Sequence, residues 1–172
     1  MGMDVIGNAP VNETGEYFRN NVWWWRPLWN YCEYVAPELT KSVKHGHTND
    51  GDGLNAEESM LLGRMLLAEV VSGRADTYAV AYRQELADLP LVDCELCNAT
   101  GIRGADSPHG IDQSDKELSP EHQSLYGRTH GWCNGCDGAG NKPHFATNYP
   151  FSVENVKEFA EFLQYSGGFS IC

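Results

Sequence analysis

NAEESMLLGRMLLAEVV, residues 55–71, decides the fold class. Asn55 followed three residues later by Glu58 forms a capping-box pattern, and the run after it is apolar around most of a helical circumference. This predicts a central α-helix closed by Gly73. Downstream, Tyr78, Ala79, Tyr82, Leu86 and Leu89 share one side of a second helix over 76–89 that ends before Pro90, and the two helices are expected to pair antiparallel. Upstream, Leu28, Tyr31, Cys32 and Val35 recur at helical spacing, with Pro27 suited to a first turn and Pro37 to the end. Ser152 caps a further helix with Val156, Phe159, Ala160 and Leu163 on one face, stopped at Gly167-Gly168 ahead of a short strand or tail. Residues 1–21, with Gly7, Pro10, Asn12, Thr14 and Gly15, read as an ordered loop.

The expected fold is therefore mainly α, or α+β with little sheet: a small helical globule. Its 172 residues suit a single domain spanning 1–172, and a composition 41% hydrophobic and 11% aromatic is that of a packed chain. The formal net charge of −12 repels a phosphate backbone, so direct binding of duplex nucleic acid is not expected. Residues 51–100 hold nine acids against three arginines, a surface suited to solubility or to a basic partner. No apolar run spans a membrane and the N-terminus lacks the pattern of a signal peptide, so a cytoplasmic location is expected.

The six cysteines sharpen the reading. Cys94-Glu-Leu-Cys97 and Cys133-Asn-Gly-Cys136 each place two thiolates on a tight turn, and two such turns make a closed tetrahedral sulfur site. One structural zinc ion on Cys94, Cys97, Cys133 and Cys136 is the leading expectation, in an embedded zinc-knuckle module over 94–140. A redox dithiol and a rubredoxin-type iron site fit the same spacing. Zinc there would close the base of the 98–132 excursion, thirty-five residues rich in Gly, Asp, Ser, Pro and His. His109, His122 and His130 in that excursion read as surface residues. Cys32 sits in the apolar helical stripe and is expected in the core.

The residues around each pair carry a resemblance. CNGCDGAG fits C-x-x-C-x-G-x-G, and CELCNATG fits it except that Ala99 replaces the first glycine. The segment resembles half of the cysteine-rich zinc module of DnaJ-type chaperones, where glycines let backbone amides reach the sulfurs. Two repeats instead of four imply one metal, and no His-Pro-Asp tripeptide of a J-domain occurs in the chain, so cochaperone activity does not carry over. Across nearly the whole chain, GEYFRNNVWWWRPLWNYC, HTNDGDGLNAEES, GWCNGCDGAG, YPFSVENVKEF and FLQYSGGFSIC resemble a family of uncharacterised proteins of bacteriophages and environmental bacteria. That resemblance implies a phage or mobile-element context and no particular activity.

Two further segments carry chemistry. His45, His47, Asp50 and Asp52 lie within eight residues, a weak candidate for a second metal or a hydrolytic centre that departs from the His-x-His-x-Asp-His run of metallo-β-lactamase-like enzymes at Asn49. The overlapping run Asp50–Glu58 resembles an EF-hand loop one residue short, between Gly53 and Leu54. A tight turn feeding a helix cap is the alternative. The triplet Trp23, Trp24 and Trp25 cannot share one helical or strand face. It belongs either to the core or, with Arg26 or Arg19, to an aromatic platform for a protein partner, nucleotide or small molecule. The function that fits best is a zinc-binding, non-enzymatic interaction module; the competing one is a small-molecule binder or metal-dependent hydrolase.

Overall fold

The computed structural model describes residues 2–103, 117, 119–127 and 133–172. The chain divides into two compact units, Met1–Ala87 with Asn148–Cys172, and Asp88–Thr147. Within the first unit lie strands β1 (Gly2–Gly7) and β2 (Tyr17–Asn21), helices α1 (Val22–Val35), α2 (Pro37–Thr40), α3 (Ala56–Val71), α4 (Arg74–Ala87) and α6 (Val153–Tyr165), and strand β5 (Phe169–Ile171). The second unit holds β3 (Val92–Asp93), helix α5 (Pro120–Tyr126) and β4 (Asn141–Lys142). Helix predominates and strands are short, in keeping with a mainly α or α+β chain.

The capping box of α3 forms as its sequence predicts: Asn55 accepts from the Glu58 backbone amide while the Glu58 carboxylate accepts from that of Asn55. Its most extensive partner is α6 rather than α4, for a steric reason. Ser59 and Gly63, one turn apart, leave so little side chain that a Cβ on Gly63 would lie 2.9 Å from the Ala160 carbonyl oxygen. At this close crossing the buried Ser59 hydroxyl donates to the Leu163 carbonyl, 3.1 Å away, and pairs with that of Ser166. Both polar groups are thus satisfied inside the core.

Of residues 1–21, expected as a loop, the described ones from Gly2 onward instead form an antiparallel hairpin that continues into α1. Only Met3, Val5 and Phe18 point inward from it, too few to signal a strand pair locally. The register Val5↔Phe18 on one side and Val5↔Ile171 on the other gives a sheet of order β2-β1-β5. Phe18 packs on Phe159 and Phe162 of α6, with ring centroids 5.0 and 5.9 Å apart. The connecting loop is bonded to the end of α6 through Ala9 N–H to Ser166 O and Val11 N–H to Tyr165 O.

α1 starts five residues before Pro27, because Asn21 caps it by accepting from the amides of Trp23 and Trp24. Pro27 therefore lies inside the helix, where it lacks the amide that would bond one turn back. Trp25, Leu28, Trp29 and Cys32 form the buried stripe. The Trp25 and Trp29 rings stack at 5.7 Å, and the Trp25 indole N–H donates to the Gly46 carbonyl at 2.8 Å. Cys32 is in the core, where burial pushes its thiol pKa up. Among the described residues no helix is long and apolar enough to cross a membrane.

Candidate metal centre

The second unit is organised by its cysteines. The short antiparallel pairing of β3 with β4, Val92↔Lys142 and Asp93↔Asn141, brings together the chain entering the first Cys-x-x-Cys turn and the chain leaving the second. Each turn repeats the same bonds. Cys97 and Ala99 donate backbone N–H to the Cys94 carbonyl; Cys136 and Gly138 do the same to Cys133. The turns also hold each other reciprocally, since Cys94 N–H donates to Gly140 O and Cys133 N–H to Gly101 O, both at 2.9 Å.

This near-symmetric arrangement points four sulfurs at one another. The sulfur atoms of Cys94 and Cys133 are 3.8 Å apart, those of Cys97 and Cys136 3.7 Å, and all four lie within 4.8 Å. A metal–sulfur bond of about 2.3 Å in a regular tetrahedron demands sulfur separations of about 3.8 Å. No disulfide joins them. Glycine amides of the motif reach the sulfurs: Gly101 N–H donates to Cys97 Sγ at 3.3 Å and Gly140 N–H to Cys136 Sγ at 3.2 Å. Such donors disperse the negative charge that accumulates when four thiolates share one ion.

Protonation follows from the same geometry. Burial acts to raise the Cys97 thiol, but the Gly101 amide and the facing thiols outweigh it and bring its pKa down to about 7. Burial carries Cys133 up to about 12 and also raises Cys136. A metal ion binding thiolates displaces whatever protons the sulfurs carry, so its affinity for such a cluster rises with pH. Four sulfurs at this spacing can bind a divalent ion such as zinc, with no open coordination position left for a substrate.

Backbone strain marks the one departure from the glycine pattern. Asn98 and Ala99 both have positive φ, 49° and 62°, matching Asp137 at 48° and Gly138 at 75°. Ala99 thus adopts the left-handed conformation that the second turn gives to glycine.

The other candidates are placed differently. His47 Nε2 faces Glu33 at 3.6 Å and His45 Nδ1 faces Asp50 at 3.8 Å. Asp52 accepts from the backbone N–H of His45 at 2.9 Å and of Gly53 at 3.0 Å, bonds that hold its carboxyl below the usual range, the His45 bond most. The Gly51 N–H donates to the Ile171 carbonyl of β5, and the Ile171 N–H donates to the Asp52 carbonyl. These four side chains stabilise a loop; among the described residues only the four cysteines form a cluster of three or more metal-ligating groups. In the Trp triplet, Trp25 belongs to the core, while Trp23 and Trp24 are 36% and 38% exposed. Trp23 lies 4.9 Å from the Tyr149 ring, over which Arg26 also sits, whereas Arg19 turns away to Asp4. His109, His130 and the side chain of His122 lie outside the described residues.

A cleft bordered by Glu69 and Arg74 had no signal in the sequence. Its residues come from three helices, α1, α3 and α4, and match no spacing motif. Compared with family models, with curated proteins and with solved structures, the chain matches none.

Proposed function

We propose that the 88–147 unit carries one structural zinc ion on Cys94, Cys97, Cys133 and Cys136, and that the protein is a binding module rather than an enzyme. The observation that carries the metal reading is the pair of sulfur separations, 3.8 and 3.7 Å, at the edge length of a zinc tetrathiolate. The two amide donors to Cys97 and Cys136 support it. A closed tetrathiolate supplies folding free energy and cross-links the two turns; it offers no site for catalysis. The partner is a protein met at the edge formed by Trp23, Trp24 and Arg26, where two indoles are more than a third exposed. On the family resemblance, its setting is the cytoplasm of a bacterium carrying a phage or mobile element.

Elemental analysis of the purified full chain tests the metal. One equivalent of zinc in the wild type, and loss of it with destabilisation of several kcal/mol in Cys97→Ser, is expected. A colourless wild type with no metal and a Cys97→Ser variant of equal stability would refute the reading; one equivalent of iron with a visible charge-transfer band would replace zinc with a rubredoxin-type ion.

A further inference from the structure

In the first unit a cleft of about 320 Å³ is lined by Tyr34, Glu69, Arg74, Thr77, Tyr78 and Ala81. Its polar wall is an ion pair of defined orientation. Arg74 donates from Nε and Nη2 to one oxygen, Glu69 Oε1, at 2.8 and 2.6 Å. The other carboxylate oxygen accepts the Tyr31 hydroxyl at 3.2 Å. Using the side edge of the guanidinium in this way leaves the end-on edge, Nη1 and the second hydrogen of Nη2, without a partner among the described residues. The Glu69 side chain is 15% exposed and that of Arg74 61%. What the cleft presents to a ligand is therefore the guanidinium edge more than the carboxylate.

The rest of the lining is largely aromatic. Tyr78 is held between Tyr31, at 4.6 Å, and Phe151, at 4.9 Å, while the Tyr34 ring lies 5.5 Å from it at the exposed rim. Neither the Tyr34 nor the Tyr78 hydroxyl has a hydrogen-bond partner among the described residues. Burial raises the pKa of Tyr78, so its hydroxyl stays a donor at neutral pH.

We propose that this cleft binds a small planar aromatic carboxylate, its ring against Tyr34 and Tyr78 and its carboxylate on the free guanidinium edge of Arg74. The charge selects the class. A carboxylate meets that edge in the bidentate geometry that guanidinium favours. A cation would face Arg74, and Glu69 on the other side of the same guanidinium weakens the pull on an anion without reversing it. The volume is at the low end of ordinary ligand sites, about 300–1,000 Å³, which suits one or two rings and excludes a dinucleotide.

The test is an amide-resonance NMR titration of the full chain with phenylacetate and benzoate, each beside its neutral amide, phenylacetamide or benzamide. Saturable shifts at Tyr34, Arg74, Thr77, Tyr78 and Ala81 are expected, with the acids bound at least about tenfold more tightly than the amides. Arg74→Gln should abolish the acid-over-amide preference. Because that change also strands Glu69, Tyr34→Ala serves as a second variant: it leaves the ion pair intact and should weaken acid and amide together. No saturation up to about 10 mM acid, equal affinity for acid and amide, shifts elsewhere in the chain, or unchanged binding by Tyr34→Ala would each overturn the proposal.

Discussion

Replacing Ala99 by glycine should stabilise the cysteine-bearing unit, although glycine substitution ordinarily destabilises. Ala99 is exposed and sits at φ 62°, while Gly138 at the equivalent place in the second turn has φ 75°. A left-handed non-glycine residue costs about 1–2 kcal/mol, which Ala99→Gly removes. The glycine also gains freedom in the unfolded chain, which takes back about 0.4–1 kcal/mol. At the middle of both ranges the net is a stabilisation of about 0.5–1 kcal/mol. Ala139, exposed in the second turn and outside the positive-φ set, supplies the control. There only the unfolded-state effect operates, so Ala139→Gly should destabilise by about 0.4–1 kcal/mol. Since binding and folding of such a unit are linked, a chelator competition against a chromogenic dye reads both. The competition midpoint should shift about two- to fivefold toward tighter binding in Ala99→Gly and move the opposite way in Ala139→Gly. Two variants that weaken the metal equally would refute the strain argument, because the same chemical change would then act without regard to backbone conformation.

Glu69→Gln should lower the stability of the first unit by about 1–2 kcal/mol at neutral pH, the charge-assisted bonds being discounted for the exposure of Arg74. The Arg74 bonds hold the Glu69 carboxyl below its usual range. The contribution is therefore present above the unfolded value of about 4.3 and fades as pH falls through the lower folded one. Urea unfolding at pH 7 and at about pH 3 should show the gap between wild type and variant closing; a gap independent of pH would contradict it. Stripping the metal with a chelator should erase the amide resonances of Cys94–Gly101 and Cys133–Gly140 from their folded positions while leaving those of α3 and α6 in place. Collapse of both sets together would show that the two units depend on the same ion.

What the sequence discloses here depends on how local its cause is. The α3 cap is written in Asn55 and Glu58 alone, and the sulfur site in two pairs of cysteines with their trailing glycines, so both are legible. The start of α1 is misread because Pro27 is a good first-turn residue. Asn21, which actually caps the helix, looks like any polar loop residue until its side chain is seen accepting two amides. The hairpin of β1 and β2 is non-local in its stability, its inward residues being completed by Phe159 and Phe162 more than 140 positions away. The pairing of α3 with α6 is hinted at by Ser59 and Gly63, but small residues at one-turn spacing do not say which helix they receive. The Trp triplet could be resolved from sequence only as far as its incompatibility with a single face. Its division into one buried and two partly exposed indoles needed the helix phase that Asn21 sets.

The two units differ in what can hold them together. The first has a continuous core of aromatic and aliphatic side chains from every one of its longer helices, with Trp25, Trp29, Tyr31, Phe159 and Phe169 inaccessible or nearly so. In the second, the described core is Cys94, Cys97 and Cys133, with Leu96 and Cys136 against them. Fully burying a leucine or phenylalanine is worth about 1.5–3 kcal/mol, so this cluster falls well short of the ordering cost of its turns, about 1–2 kcal/mol for each residue fixed. Structural zinc binding, at about 10–16 kcal/mol in small modules, is of the size needed to offset that deficit. On these magnitudes the described part of the second unit needs a further source of stability, and the ion proposed on the four cysteines would supply it and hold both turns in register against the left-handed strain at Ala99.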